Sequence, residues 1–343
     1  MRAATAPRPR GERRLLLLDP SSGAVADAAV GELPSRLRAG DLLVVNDAAT
    51  LPGSLPARTP SGAGAEVRLT RCYDDGRRWQ AVLFGPGDWR TPTERRQPPE
   101  PLAAGARLEV AGLPATAIAI SGISLRLFTL RFEADADDVW AAIYRRGRPI
   151  QYAHVTTPLA LWSVQTAYAA RPWAAELPSA GLPLDWEILS ALRARGVALA
   201  AITHGAGLSA TGDAALDAAL PLPERSEVTP ATVAAVSAAH ARGGRVVAVG
   251  TSVVRALESA AAGGDLRPAS GETDLLIGPG HQRRVVDGLF TGLHEPTASH
   301  FALLQAFATR AQLEVAYAHA ERGGYLGHEL GDANLILPDV CAR

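Results

Sequence analysis

The chain has no lysine; all 34 of its basic side chains are arginine. Schiff-base chemistry and the lysine of a phosphate-binding P-loop are therefore excluded. It has two cysteines, Cys72 and Cys341, far apart and in no C-x-x-C spacing. That argues against a disulfide framework, a zinc site or an iron–sulfur cluster, so no metal is expected. No uninterrupted apolar run approaches the roughly 18 residues of a membrane span, and no membrane partner is expected. The basic start, MRAATAPRPRGERR, is not followed by an apolar h-region, because Leu15 to Leu18 end at Asp19-Pro20. It reads as a frayed terminus and not as a signal, which predicts a cytoplasmic protein. A net charge of −1 gives no global pull toward nucleic acid. Arg2, Arg8, Arg10, Arg13 and Arg14 nevertheless make a local basic cluster, either a contact for RNA or a solvated tail. No internal repeat or low-complexity tract is visible.

What is present describes a globular protein: 343 residues, 47% apolar and 20% charged. That length exceeds one ordinary hydrophobic core and predicts two domains. Ala39 to Asp47, AGDLLVVND, reads as a strand buried on both faces, ending at Asn46-Asp47. From Leu51 to Arg131 the period shortens to five strand-like runs separated by Gly, Pro, Asp and Arg, as in a small antiparallel barrel. A helix near Asp135 to Arg146 leads into GRPIQYAHVTTPL, which reads as an exposed hinge or substrate loop. Thereafter strands alternate with helices. WEILSALRARG from Trp186 is a helix closed by Gly196, VALAAITHG is a strand ending at His204, and a helix capped by Thr229 precedes the strand RVVAVG. The expected fold is α/β: a main, barrel-like α/β domain (1–50 and 150–343) with a small antiparallel β-barrel domain inserted at 51–149.

The chemistry-bearing stretch runs from Gly243 to His300. A strand that stops at Gly250 and gives way to Thr251-Ser252 and a helix points two hydroxyls and backbone N–H groups at one spot suited to an anion or polar ligand. Thr251 and Ser252 are equally explained as helix caps. His294, Glu295 and Ser299 should reach the same end of a sheet, although His294 is also compatible with an ordinary loop histidine. His294-Glu295 with His300 is not a zinc H-E-x-x-H, since the spacing is six and Pro296 breaks the helix. Gly205 to Gly212, GAGLSATG, lacks the G-x-G-x-x-G spacing and reads as a flexible loop. Arg255, one turn into the helix, is either a surface arginine or a carboxylate clamp.

DLLVVND from Asp41, QTAYA from Gln165, LPSAGL from Leu177, GGRVVAVGTSVVRALESAA from Gly243, TDLLIGPG from Thr273, VVDGLFTGLHEPTAS from Val285 and GDANLIL ending at Leu337 stand in one order. In that order the chain resembles the S-adenosylmethionine:tRNA ribosyltransferase-isomerase family of queuosine biosynthesis over nearly its whole length. The resemblance implies an α/β main domain with an inserted barrel. It implies S-adenosylmethionine as co-substrate, tRNA as partner, and no metal or permanently bound cofactor. Such enzymes move the ribosyl part of S-adenosylmethionine to the 7-aminomethyl-7-deazaguanine base at the tRNA wobble position, giving epoxyqueuosine-tRNA with release of adenine and methionine.

That chemistry needs a base for the carbon beside the sulfonium and an acid for departing adenine. The candidates are His294, His204 and Asp287. Thr251, Ser252 and Arg255 are expected to hold the ribose or the methionine carboxylate, and Asn46, Asp47, Ser179, Gly181 and Asp332 to line the cleft. The chain also departs from the family: Pro183 stands where a histidine is usual, the segment after His204 is shortened toward ALPLPERSE, and Tyr325-Leu326-Gly327-His328 replaces an aromatic run. Two further readings stay open. One is a diverged paralogue binding S-adenosylmethionine or a related nucleoside with another acceptor; the other is a non-catalytic nucleotide- or RNA-binding module.

Overall fold

The computed structural model describes residues 1–9, 11–73, 75–296 and 299–341, without the side chain of Ser299. Arg10 and the hydroxyl of Ser299 thus lie outside the described residues. The nine strands of the main sheet are β1 (Arg14–Leu18), β2 (Val25–Ala29), β3 (Leu42–Asn46), β4 (Ala198–His204), β5 (Glu224–Val228), β6 (Val246–Val249), β7 (Ala269–Thr273), β8 (Gly288–Gly292) and β9 (Ala333–Ile336). They are ordered β7-β5-β4-β3-β6-β8-β9-β1-β2. At the centre, β4, β3, β6 and β8 run parallel. The flanking pairs β4 with β5 and β8 with β9 are antiparallel. The main sheet is open, with β7 and β2 at its edges, and so differs from the barrel-like closure expected of it.

Aliphatic alternation explains why the sheet sits between two helical layers. Leu42, Val44, Val246 and Ala248 face one core, which holds Val236 of helix α3 (Pro230–Ala241), Val253 and Leu257 of α4 (Thr251–Ala260), and Leu313 of α5 (Arg310–Arg322). Leu43, Val45, Val247 and Val249 face the opposite core, against Ile188 and Leu192 of α2 (Trp186–Ala194). Successive residues of a strand point to opposite faces, so a run of aliphatics fills both. Each fully buried leucine or valine contributes about 1.5–3 kcal/mol relative to exposure, and β3 cannot move without disturbing both layers.

Six strands between Ser54 and Phe132 close into the second unit, an antiparallel barrel. The sixth, absent from the sequence expectation, is Ser54–Arg58, whose Pro56 disguises it. Trp79, Phe128 and Phe132 fill the barrel, and Trp140 of α1 (Ala136–Arg146) meets Trp79 edge-on at 5.2 Å. The chain leaves and returns at neighbouring points: Thr50 and Gln165 exchange hydrogen bonds, and Ser54 pairs with Arg148.

The amino terminus does not fray. Arg2–Ala3 pairs in parallel with Leu326–Gly327, Ala4 is fully buried, and Arg8 donates to the Asp332 carboxylate at 2.8 Å. Arg14 lies 3.9 Å from the centre of the Tyr325 ring. Part of the basic cluster therefore holds the chain's own carboxyl-terminal segment, because a buried carboxylate is costly without a partner. Similarly, Ile150, Gln151 and Val155 of the expected exposed loop are buried. Among the described residues no helix is long and apolar enough to cross a membrane.

Candidate active site at the carboxyl edge of the main sheet

Four parallel strands deliver their carboxyl ends to one edge, the place where open α/β sheets bind ligands. β3 ends in Asn46, β4 in His204, β6 at Gly250 and β8 just before His294. Because β5 is antiparallel to β4, its first residue, Glu224, reaches this edge too.

Asn46 is buried and locks β3 to β4. Its side-chain amide donates to the His204 carbonyl at 2.9 Å, while its Oδ1 accepts from the N–H of His204 at 2.9 Å and of Ala48 at 3.1 Å. Asp47 accepts from the Thr203 hydroxyl at 2.5 Å. The expected cleft-lining pair thus serves to position His204.

His204 is fully buried. Its Nε2 lies 2.8 Å from Glu224 Oε2, and Glu224 also accepts from Arg255 Nη1 and, at 2.6 Å, from the Gly207 N–H. Burial alone would raise the Glu224 pKa. The hydrogen bond and field of His204, the charge of Arg255 and the Gly207 N–H outweigh that and hold it at about 2. A carboxylate only accepts, so in the neutral ring Nε2 carries the proton and Nδ1 keeps a lone pair. Among the described residues both His204 Nδ1 and Arg255 Nη2 are buried without a hydrogen-bond partner, while Arg255 Nε donates to the Leu275 carbonyl at 2.9 Å. Buried polar atoms are ordinarily satisfied. One carboxylate thus presents two open positions, one accepting and one cationic.

His294 is half-buried beside it. Its Nε2 is 3.0 Å from the Thr291 hydroxyl, its N–H donates to the Tyr317 hydroxyl oxygen at 3.1 Å, and its ring stacks on His300 at 5.0 Å. Burial, followed by the fields of His300 and His328, pushes its pKa down to about 3, so the ring is neutral near pH 7. Burial lowers the His300 pKa as well.

Thr251 and Ser252 are the first two residues of α4, and the cap is Gly250 at φ +89°, so neither acts as the N-cap. A Cβ at Gly250 would stand 3.4 Å from the Cβ of Ala180. That contact brings the Ser179–Gly181 turn to the same edge. At Gly181 a Cβ would collide with the Tyr168 hydroxyl, and among the described residues the buried hydroxyls of Tyr168 and Thr166 have no hydrogen-bond partner.

Two expected residues stand apart. Asp287 precedes β8 and so lies at the amino edge, accepting from the Val246 N–H at 2.8 Å and facing His240 at 3.1 Å. Asp332 is at the correct edge, but its carboxylate is taken up by Arg8, by the Arg14 N–H at 3.1 Å and by the Leu326 N–H at 2.9 Å. It clasps the chain ends together.

The edge opens into a cleft of about 410 Å³ between sheet and barrel, where Gly205, Gly207 and Glu224 face Tyr73, Gln80 and Trp140. Also on this wall, the Arg225 guanidinium lies 3.8 Å from the Trp173 ring centre. Aromatic faces with an arginine suit a planar nucleobase. Glu224 and Trp173 were missed in the sequence. The only available signal was the segment ALPLPERSE, whose shortening marked a changed edge without indicating that its glutamate pairs with His204.

Residues 1–336 match a family model described as queuosine biosynthesis protein. A protein of Acidithiobacillus ferrooxidans named S-adenosylmethionine:tRNA ribosyltransferase-isomerase is 38% identical, covering 99% of this chain and 96% of that protein. One of the same name from Anaeromyxobacter dehalogenans is 37% identical over 96% of this chain and 93% of its own. The crystal structure of S-adenosylmethionine tRNA ribosyltransferase from Thermotoga maritima is similar with a TM-score of 0.54 and 25% identity, covering 98% of this chain and 96% of that one.

Proposed function

This chain belongs to the queuosine biosynthesis protein family, and on that premise we propose that it is a ribosyltransferase-isomerase acting on tRNA in the cytoplasm. S-adenosylmethionine is the co-substrate. Its ribosyl part passes to the 7-aminomethyl-7-deazaguanine base at the wobble position, adenine and methionine leave, and an epoxide-bearing ring remains as epoxyqueuosine.

The observation that carries this reading is the pair of open positions on Glu224. Removing a proton from the carbon beside the sulfonium needs an oriented lone pair. His204 Nδ1 offers one, with Glu224 fixing the ring and stabilising the imidazolium that forms. Arg255 Nη2 meets the methionine carboxylate. Neutral His294, hydrogen-bonded to Thr291, lies next to this pair and acts on the ribose hydroxyls or the departing adenine. Its depressed pKa keeps the ring neutral near pH 7. Thr251, Ser252 and the Ser179–Gly181 turn complete the nucleoside site, and the aromatic cleft takes a nucleobase.

A second reading, the same nucleoside chemistry on another acceptor, is favoured by one feature: Tyr325-Leu326-Gly327-His328 stands where the family carries an aromatic run. Incubation with S-adenosylmethionine and tRNA bearing the aminomethyl base separates the two. Free adenine that disappears in His204→Gln and in His294→Ala but survives in Arg2→Ala supports the proposal. Tight S-adenosylmethionine binding with no adenine release on this tRNA would sink it in favour of the second reading.

A further inference from the structure

Beyond His294 the same edge holds a group of side chains that the proposed reaction does not use. His154, His328 and Glu329 each bring one ligand atom to a spot where all three atoms lie within 4.8 Å of one another. His154 Nε2 is 2.8 Å from Glu329 Oε2, and the His154 and His328 rings are 4.8 Å apart. A fourth group, Glu295, places Oε1 3.3 Å from His328 Nε2.

We propose that His154, His328 and Glu329 form a site for a divalent transition-metal ion of the zinc class. The donors are right for such an ion: imidazole nitrogens and a carboxylate are borderline ligands that suit zinc and its neighbours and disfavour calcium or magnesium. The spacing is right as well. An ion about 2.0–2.2 Å from each donor in tetrahedral geometry needs the donors roughly 3.3–3.6 Å apart, which the three atoms reach with displacements smaller than a bond length.

The backbone supplies the third argument. Consecutive residues of an extended chain point in opposite directions. His328 has φ +66°, a left-handed conformation uncommon for a residue with a side chain. That kink allows His328 and its neighbour Glu329 to converge on His154, more than 170 positions away in sequence. Three protein ligands leave a fourth position for the Glu295 carboxylate, 3.3 Å from His328 Nε2, or for water.

The test uses the full-length protein, stripped with chelator and titrated with zinc alone, without tRNA or S-adenosylmethionine. We expect one equivalent per chain, and binding at least tenfold weaker in His154→Ala and in Glu329→Gln. His328→Asn keeps a residue that tolerates positive φ, so it separates loss of a ligand from loss of fold; it too should bind zinc at least tenfold more weakly, with unchanged far-UV circular dichroism. Cobalt added to the wild-type chain should give the intense visible bands of a four-coordinate ion, a readout that depends on no variant. Substoichiometric zinc, affinity unchanged in the three variants, or a six-coordinate cobalt spectrum would each overturn the proposal and leave a His154–Glu329 hydrogen bond in its place. None of these readouts involves catalysis, so their failure leaves the proposed reaction standing.

Discussion

Replacing Glu224 by glutamine tests the centre of the site with the least change of shape. The carboxylate is shared by His204, Arg255 and the Gly207 N–H. It is held at about 2 against an ordinary value of 4.5. At ~1.4 kcal/mol per tenfold, that difference corresponds to about 3 kcal/mol of folded-state stabilisation of the ionised form. The cost of leaving Arg255 buried beside a neutral amide, about 3–5 kcal/mol, is of the same size. The sign follows from the depressed pKa: the contribution is complete above pH 4.5 and is lost as pH falls toward 2. Equilibrium urea unfolding should therefore show Glu224→Gln about 3 kcal/mol less stable at neutral pH, with a gap that narrows in acid. The variant also lets the His204 ring turn, and adenine release should fall about 100-fold or more. A neutral-pH difference below about 1 kcal/mol, or one that persists undiminished in acid, would refute the reasoning.

Other consequences are simpler to state. Burial pushes the Glu176 carboxyl up to about 7, so its contribution is complete below pH 4.5 and is lost as pH rises through 7. Glu176→Gln, which keeps the Tyr152 and Ser209 partners but cannot ionise, should be up to ~3 kcal/mol more stable than wild type above pH 7 and no different near pH 4, as read by urea melts across pH. Gly181→Ala drives a methyl group against the Tyr168 hydroxyl. It should cost about 1–3 kcal/mol, with part of the loss recovered in the double variant with Tyr168→Phe; equal losses in both would show that the hydroxyl is not the obstacle. Among the described residues, Arg8→Ala leaves the buried Asp332 with backbone donors only. Faster amide exchange at Leu326 and Gly327 is expected, and unchanged exchange would mean the clasp is not needed.

Where a residue's role is set by its neighbours in sequence, it was legible there. The aliphatic run at Leu42 to Asn46 implied a strand buried on both faces, Thr229-Pro230 marked the start of a helix, and the strand–Gly–helix junction at Gly250 stands where it was read, at the carboxyl end of β6. What depends on pairing across the sheet was not legible. Glu224 joins His204 only because β5 runs antiparallel to β4, and His154 meets Glu329 through two loops that no spacing rule connects. Asp287 and Asp332 show the converse. Each lies in a recognisable block, but strand direction takes Asp287 to the far edge, and two arginines near the amino terminus engage Asp332. The terminal arginines looked like a solvated tail because their acceptors lie more than 300 positions away.

The central claim is that the edge centred on Glu224 rebuilds the ribosyl group of S-adenosylmethionine on a tRNA base. It is tested most directly by following the atoms: S-adenosylmethionine labelled with carbon-13 in the ribose, tRNA carrying the aminomethyl base, and mass spectrometry of the wobble nucleoside. The account predicts that all five labelled carbons appear on that nucleoside, with one adenine and one methionine released per transfer. A tRNA of unchanged mass after S-adenosylmethionine has bound, or a tRNA that gains only a methyl group, would contradict it.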